Sequence, residues 1–166
     1  MSAETSAPTP ASIGELEAIY KQHYPRFLRV AVASLGEIER GRDAVHETFV
    51  RAIKSLPAFR GEGSLEAWVW RTLVNVCLVE KRHQPALAES LRKPASESEP
   101  VDWPEVRAAI AALPERQRTT LFLRHYADLD YNQIGLVLGV ARVTVAASLH
   151  AAHAKLRDVL RGEVRL

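Results

Sequence analysis

Sulfur is scarce in this chain of 166 residues, which has one cysteine, Cys77, and one methionine, Met1. A single thiol excludes an intramolecular disulfide, and no Cys/His set has the spacing of a zinc site, which fits a reducing, cytoplasmic setting. Long hydrophobic runs are also missing. No stretch approaches the roughly 18 apolar residues of a membrane span. Residues 1–12, with Pro8, Pro10, serines and threonines, lack the basic start and apolar centre of a signal peptide. That segment is expected to be a disordered leader on a soluble protein. Neither charge sign is in large excess. A net charge of +2 and a pI near 8.9 permit a nucleic-acid partner without demanding one. Nucleophile elbow, His-Glu-x-x-His and phosphate loop are all absent, and Gly61-Glu62-Gly63-Ser64 lacks the lysine a P-loop needs. The chain is therefore expected to be no enzyme and to carry no cofactor and no metal.

What is present is helical periodicity. Apolar residues make up 47% of the chain, enough for a buried core. Ile13, Leu16, Ile19, Tyr20, Phe27, Leu28, Ala31 and Leu35 recur at helical spacing up to Gly36, with Pro25 predicting either two pieces or one bent helix. A second amphipathic run begins near Glu37 and sets Val45, Phe49, Ala52, Ile53 and Leu56 on one face before Pro57. Residues 58–64 form a glycine-containing loop ending in Ser64, a suitable N-cap for a helix over 65–83 that carries Trp68, Val69, Thr72, Leu73 and Val76 on one stripe. Trp68 and Trp70 cannot share a helix face, so one is expected in the core. Lys81, Arg82 and His83 place positive charge at that helix's C-terminal end.

Pro85, Pro94, Pro100 and Pro104, with serines and glutamates, mark 84–104 as a flexible linker between a first domain over 13–83 and a second over 105–166. The second half predicts helices over 105–112, 115–127, 131–138 and 142–161. Neither a repeat nor strand-like alternation competes. The expected class is all-α, with two small helical domains.

The sharpest local signal runs from Asp130 to Val145. Asp130 caps a short helix, Ile134 and Leu138 face inward, Gly135 permits close helix approach and Gly139 supplies a left-handed turn before a second helix. This is helix-turn-helix grammar, in which the second helix enters a major groove and presents its N-terminal residues to base edges. Around it stand Ala112-Leu113-Pro114-Glu115-Arg116-Gln117-Arg118, Leu121-Phe122-Leu123-Arg124-His125-Tyr126 and Leu149-His150-Ala151-Ala152-His153-Ala154-Lys155-Leu156. Together they closely resemble region 4 of sigma-70 factors. The first half resembles region 2 in family order, through Tyr24-Pro25-Arg26-Phe27, then 43–52, then Phe59-Arg60-Gly61-Glu62-Gly63-Ser64 with Ala67-Trp68, then Arg71 and Asn75.

The resemblance is to the compact extracytoplasmic-function (ECF) group of RNA polymerase sigma factors. It implies a region 2 bundle of three to four helices and a region 4 helix-turn-helix bundle. It implies docking on core RNA polymerase through Asp43, His46, Glu47, Phe49, Val50 and Arg51. Asp43, Glu47 and Arg51 share one helix face, which an ordinary solvated surface would also provide. The resemblance further implies contact with a promoter's −10 element through Arg60, Gly61, Trp70, Arg71, Asn75, Lys81 and Arg82. For the −35 element it implies Tyr131, Gln133, Arg142, Thr144, Ser148, His150 and Lys155. A regulatory protein such as an anti-sigma factor is a further expected partner, and a membrane is not.

The reading helix departs from the family pattern, for no lysine or arginine stands between Arg142 and Lys155. Each lost phosphate contact removes about one unit of salt-dependence slope, so losing about three predicts weaker promoter binding by this domain. His46 stands where the family commonly has glutamine, and the −10 surface is thinner in positive charge. His150 and His153 sit at i and i+3 without a third ligand nearby and read as exposed polar residues. Two functions follow. The leading one is a sigma factor directing promoter-specific initiation; the alternative is a degenerate sigma-like regulator, a decoy or partner of a true sigma factor, acting through protein contacts.

Overall fold

The first helix, α1 (Ile13–Leu35), begins at a capping box. Ser12 Oγ accepts from the Glu15 N–H at 3.2 Å, and the Glu15 carboxylate accepts from the Ser12 N–H at 2.7 Å. The computed structural model describes residues 10–61, 63–83 and 104–162. The expected leader over 1–9 and the expected linker, apart from Pro104, lie outside the described residues.

Helix α1 continues through Pro25 as one element. The proline removes one intrahelical bond, but Leu16 and Phe27, on either side of it, are buried in the same core. That shared burial holds the two halves together. Helix α2 (Ile38–Ser55) lays Ala44, Val45, Thr48, Phe49 and Ala52 inward and passes into a 3-10 turn over Leu56–Ala58. Ile53, expected on the inner face, is instead 48% exposed, because its neighbour Ala52 occupies the centre of that face. Helix α3 (Leu65–His83) starts at Ser64, whose Oγ accepts from the Ala67 N–H at 3.0 Å.

Aromatic packing centres this first unit. Trp70 is 1% exposed, with its ring 4.1 Å from Phe27; Phe27 meets Phe49 edge-on at 5.4 Å, and Phe49 meets Tyr20 edge-on at 4.9 Å. Such pairs add about 0.5–1.5 kcal/mol each beyond their buried area. The indole N–H of Trp70 donates to Glu66 Oε1 at 3.3 Å, so its polar edge is satisfied.

The second unit comprises α4 (Pro104–Ala111), α5 (Glu115–His125), α6 (Tyr131–Leu138) and α7 (Arg142–Leu160). All regular structure among the described residues is helical, as expected. Leu121, Leu123, Ile134, Val145, Leu149 and Ala152 form its core, which is continuous with that of the first unit. No single helix among the described residues is long and apolar enough to cross a membrane.

The two units meet where α5 and α6 pack against α1 and α3. A small cavity at this junction is lined by Val30, Ser34, Val74, Cys77, Lys81 and Thr119. Polar contacts fasten its rim. Lys81 Nζ pairs with Glu115 at 3.4 Å, and Arg26 Nε lies 3.9 Å from the Asp128 carboxylate. Burial, helped by the nearby Arg118 charge, pushes the Lys81 pKa down against the pull of Glu115.

Candidate functional site

Three surfaces carry the sequence-predicted residues. The first is the outer face of α2. Asp43, His46 and Arg51 are exposed there and Glu47 and Val50 half-buried, spaced so that they form one continuous stripe. Arg51 Nε donates to Glu47 Oε1 at 2.6 Å, an exposed i, i+4 pair worth about 0.3–0.5 kcal/mol that orders the stripe more than it stabilises the helix. Phe49 does not belong to it. Its ring is 8% exposed and fills the aromatic core, so it supports the stripe from beneath. Lys54, exposed one turn beyond Val50 and Arg51, extends the same face and follows from the same spacing, although the motif resemblance does not reach it.

The second surface is the loop and outer face of α3. Arg60, Gly61, Asn75 and Arg82 are exposed, and Trp68 is half-buried with its ring 5.3 Å from Phe59. Trp70 must be corrected from a DNA-contacting residue to a core residue, since its indole is enclosed against Phe27. Arg71 and Lys81 are both engaged at the junction. The Arg71 guanidinium donates to the Val137 carbonyl at 3.3 Å and also to the Leu136 carbonyl. These are terminal carbonyls of α6, which has no basic residue in its own last turn. Arg71 thus supplies from the first unit the cation that a helix C-terminus favours. Lys81, with its side chain only 15% exposed, is held against Glu115.

The third surface is the helix-turn-helix. Asp130 Oδ1 accepts from the Gln133 N–H and Gln133 Oε1 accepts from the Asp130 N–H, both at 2.8 Å. Gly139 ends α6 at φ 66°, and α7 leaves at 103° to α6, within the range of such motifs. Gly135 is required for a different reason. A Cβ there would stand 2.8 Å from the Val140 carbonyl oxygen, part of the turn backbone.

Arg142 and His150 are exposed on α7, and Thr144 and Ser148 are half-buried. Tyr131 is half-buried beneath Arg142, whose guanidinium carbon lies 5.6 Å from the ring centroid. Lys155, exposed near the end of α7, donates to the Ala112 carbonyl at 3.3 Å. The two cations bounding the neutral stretch therefore both have intramolecular partners. Ala147 and Ala151 add exposed small residues to the face between them.

Both units match known proteins. A family model described as Sigma-70 region 2 matches residues 19–85, and one described as Sigma-70, region 4 matches 104–156. The chain is 25% identical over 157 residues to the RNA polymerase sigma factor YlaC of Bacillus subtilis, covering 86% of this chain and 90% of that protein. It is 29% identical over 163 residues to the ECF RNA polymerase sigma factor SigE of Mycolicibacterium smegmatis, covering 90% of this chain and 63% of that one.

Among solved structures, the sigma factor RpoE in complex with the anti-sigma factor NepR, from Bartonella quintana, superposes with a TM-score of 0.70 at 16% identity, over 90% of this chain and 98% of that chain. CnrH in complex with the cytosolic domain of CnrY gives a TM-score of 0.70 at 18% identity, over 93% and 92%. At that identity the structures show a shared fold. With both sigma regions matched in order over the corresponding helices, the chain belongs to the sigma-70 family and to its ECF group of sigma factors.

Proposed function

We propose that this protein is a transcription initiation factor that binds core RNA polymerase and directs it to specific promoters. The observation carrying this reading is the presence of both sigma regions, in order, on two helical units, the second a helix-turn-helix whose first helix and turn have the required capping and glycines. The polymerase-docking face is the α2 stripe of Asp43, His46, Glu47, Val50 and Arg51, extended by Lys54. The −10 face comprises Arg60, Gly61, Asn75 and Arg82, joined by Arg71 and Lys81 once α6 and α5 move away from α3. The −35 face comprises Gln133, Arg142, Thr144, Ser148 and His150 with Tyr131 beneath; Lys155 acts by bracing α7. The protein works in the cytoplasm, catalyses no reaction and is controlled by a regulatory protein that grips both units.

The neutral face of α7 favours one competing reading, a sigma-like regulator that keeps the protein contacts and has lost promoter reading. The two are separated by transcription in vitro with purified core polymerase, alongside a gel assay of core binding. Promoter-dependent transcripts establish the first reading. Core binding without them establishes the second.

A further inference from the structure

His125, the last residue of α5, and His153, in the second half of α7, are far apart in sequence but adjacent in space. Their Nε2 atoms are 3.0 Å apart, and their rings meet edge to face at 5.3 Å. We propose that this pair is a two-histidine site for a divalent transition-metal ion of the zinc, nickel and copper type, bridging the helix before the turn motif to the reading helix.

Several observations carry the assignment. Imidazole nitrogen is a preferred ligand for these ions, and both Nε2 atoms already converge. Two nitrogens on one tetrahedral ion, at about 2.0–2.1 Å each, lie about 3.3 Å apart. The pair therefore needs to open by only about 0.3 Å, with small ring rotations that exposed side chains can make. The backbone beneath is fixed, since Leu121 and Phe122 on α5 and Leu149 and Ala152 on α7 are buried in one core.

Both histidines are on the surface, so an ion can reach them and water can complete its shell. Ligation requires neutral imidazole. Two protein ligands hold an ion less tightly than the four of a structural zinc site. Among the described residues no third His, Cys, Asp or Glu joins the group.

Sequence spacing alone brings together a different pair, which it reads as exposed polar residues. His150 and His153 share a helix at i, i+3 spacing, whereas the structure places the partner of His153 on α5. That difference gives the test. Metal-free full-length protein is melted at neutral pH with zinc chloride or nickel chloride, and with magnesium chloride as the control. At tenfold excess over Kd the wild type should gain about 4 °C in Tm. His125→Gln and His153→Gln should each lose this gain, and His150→Gln should keep it.

Imidazole nitrogen NMR of the wild type provides a readout independent of any variant's folding. Zinc should shift two Nε2 resonances together, at one equivalent. No zinc or nickel shift in the wild type overturns the proposal, as does an equal gain in His125→Gln, or loss of the gain in His150→Gln.

Discussion

Arg71 joins the two units by capping a helix in the other one, and Arg71→Met isolates that contact. The substitution keeps an apolar stem of similar reach and removes the donors to the Leu136 and Val137 carbonyls. A hydrogen bond from a charged donor contributes about 1.5–3 kcal/mol when desolvated. Here one of the two lies at an exposed site. Solvent screening and the entropy of ordering an arginine reduce the pair to about 2 kcal/mol, including a few tenths for the cation at the helix terminus. That corresponds to about 30-fold in the docking equilibrium.

Amide hydrogen exchange in the absence of DNA and polymerase reads the effect directly. Amides of α6 and of the turn at Gly139 and Val140 should exchange up to about 30-fold faster in Arg71→Met, while those of α2, which packs mainly on α1 and α3, stay unchanged. Arg71→Lys, a point charge without the planar fork, should fall between the two. Unchanged α6 exchange would refute the capping argument. Equal acceleration in α2 would show that the substitution had loosened the first core instead.

Four further outcomes are expected. Gly135→Ala should destabilise the second unit by about 1–3 kcal/mol, because the new Cβ meets backbone at 2.8 Å; a denaturant melt with wild-type stability would contradict this. Cys77 is 3% exposed and burial pushes its thiol up to about 12, so Ellman's reagent should label it only after denaturation. Burial, with the neighbouring His153 and the Arg124 charge, pushes the His125 pKa down, so the unfolded chain takes up its proton first as the pH falls. Stability should therefore be full above about pH 6.5 and decline as the pH drops through the lowered folded-state value, a component that His125→Gln removes from urea melts at pH 7.5 and about 5.5. Ala151→Lys, on the exposed face of α7, should tighten promoter binding and steepen its salt dependence by about 0.9 in log–log slope if this face meets phosphates; an unchanged slope assigns the face elsewhere.

Much of the helical architecture was legible because its determinants are local. Capping residues at Asp130 and Ser64, glycine at position 139 and periodic apolar residues act within one or two turns of chain, and the observed bounds of α3 and α6 coincide with the expected ones. The errors arose where a second element decides. Periodicity puts Trp68 on the apolar stripe of α3, yet Trp70 is the core residue, enclosed against Phe27 arriving from α1. Ile53 lies beside the buried stripe of α2, but no neighbouring helix covers it. Arg71 meets α6 across a long stretch of chain, and the His125–His153 pair depends on how α5 crosses α7. No spacing rule reaches that far. Family resemblance gives the surfaces expected to be used, but it does not show what those residues hold in the free protein.

That difference matters most for positive charge. Four cations expected to face DNA already have intramolecular partners: Arg71 on the end of α6, Lys81 on Glu115, Arg142 over Tyr131 and Lys155 on Ala112. They divide into two kinds. Arg142 and Lys155 stay within the second unit, so their contacts persist however the units move; they shape the reading helix and leave its middle neutral. Arg71 and Lys81 bind across the junction, and separating the units frees both together while uncapping α6 and leaving Glu115 to the Arg118 charge of its own helix. On the proposed reading, opening the junction exchanges these contacts for phosphate contacts on α3, at the further cost of exposing the apolar core that the two units share. On that reading −10 affinity depends on separating the units, and α7, neutral between Arg142 and Lys155, contributes orientation through its shape more than attraction through its charge.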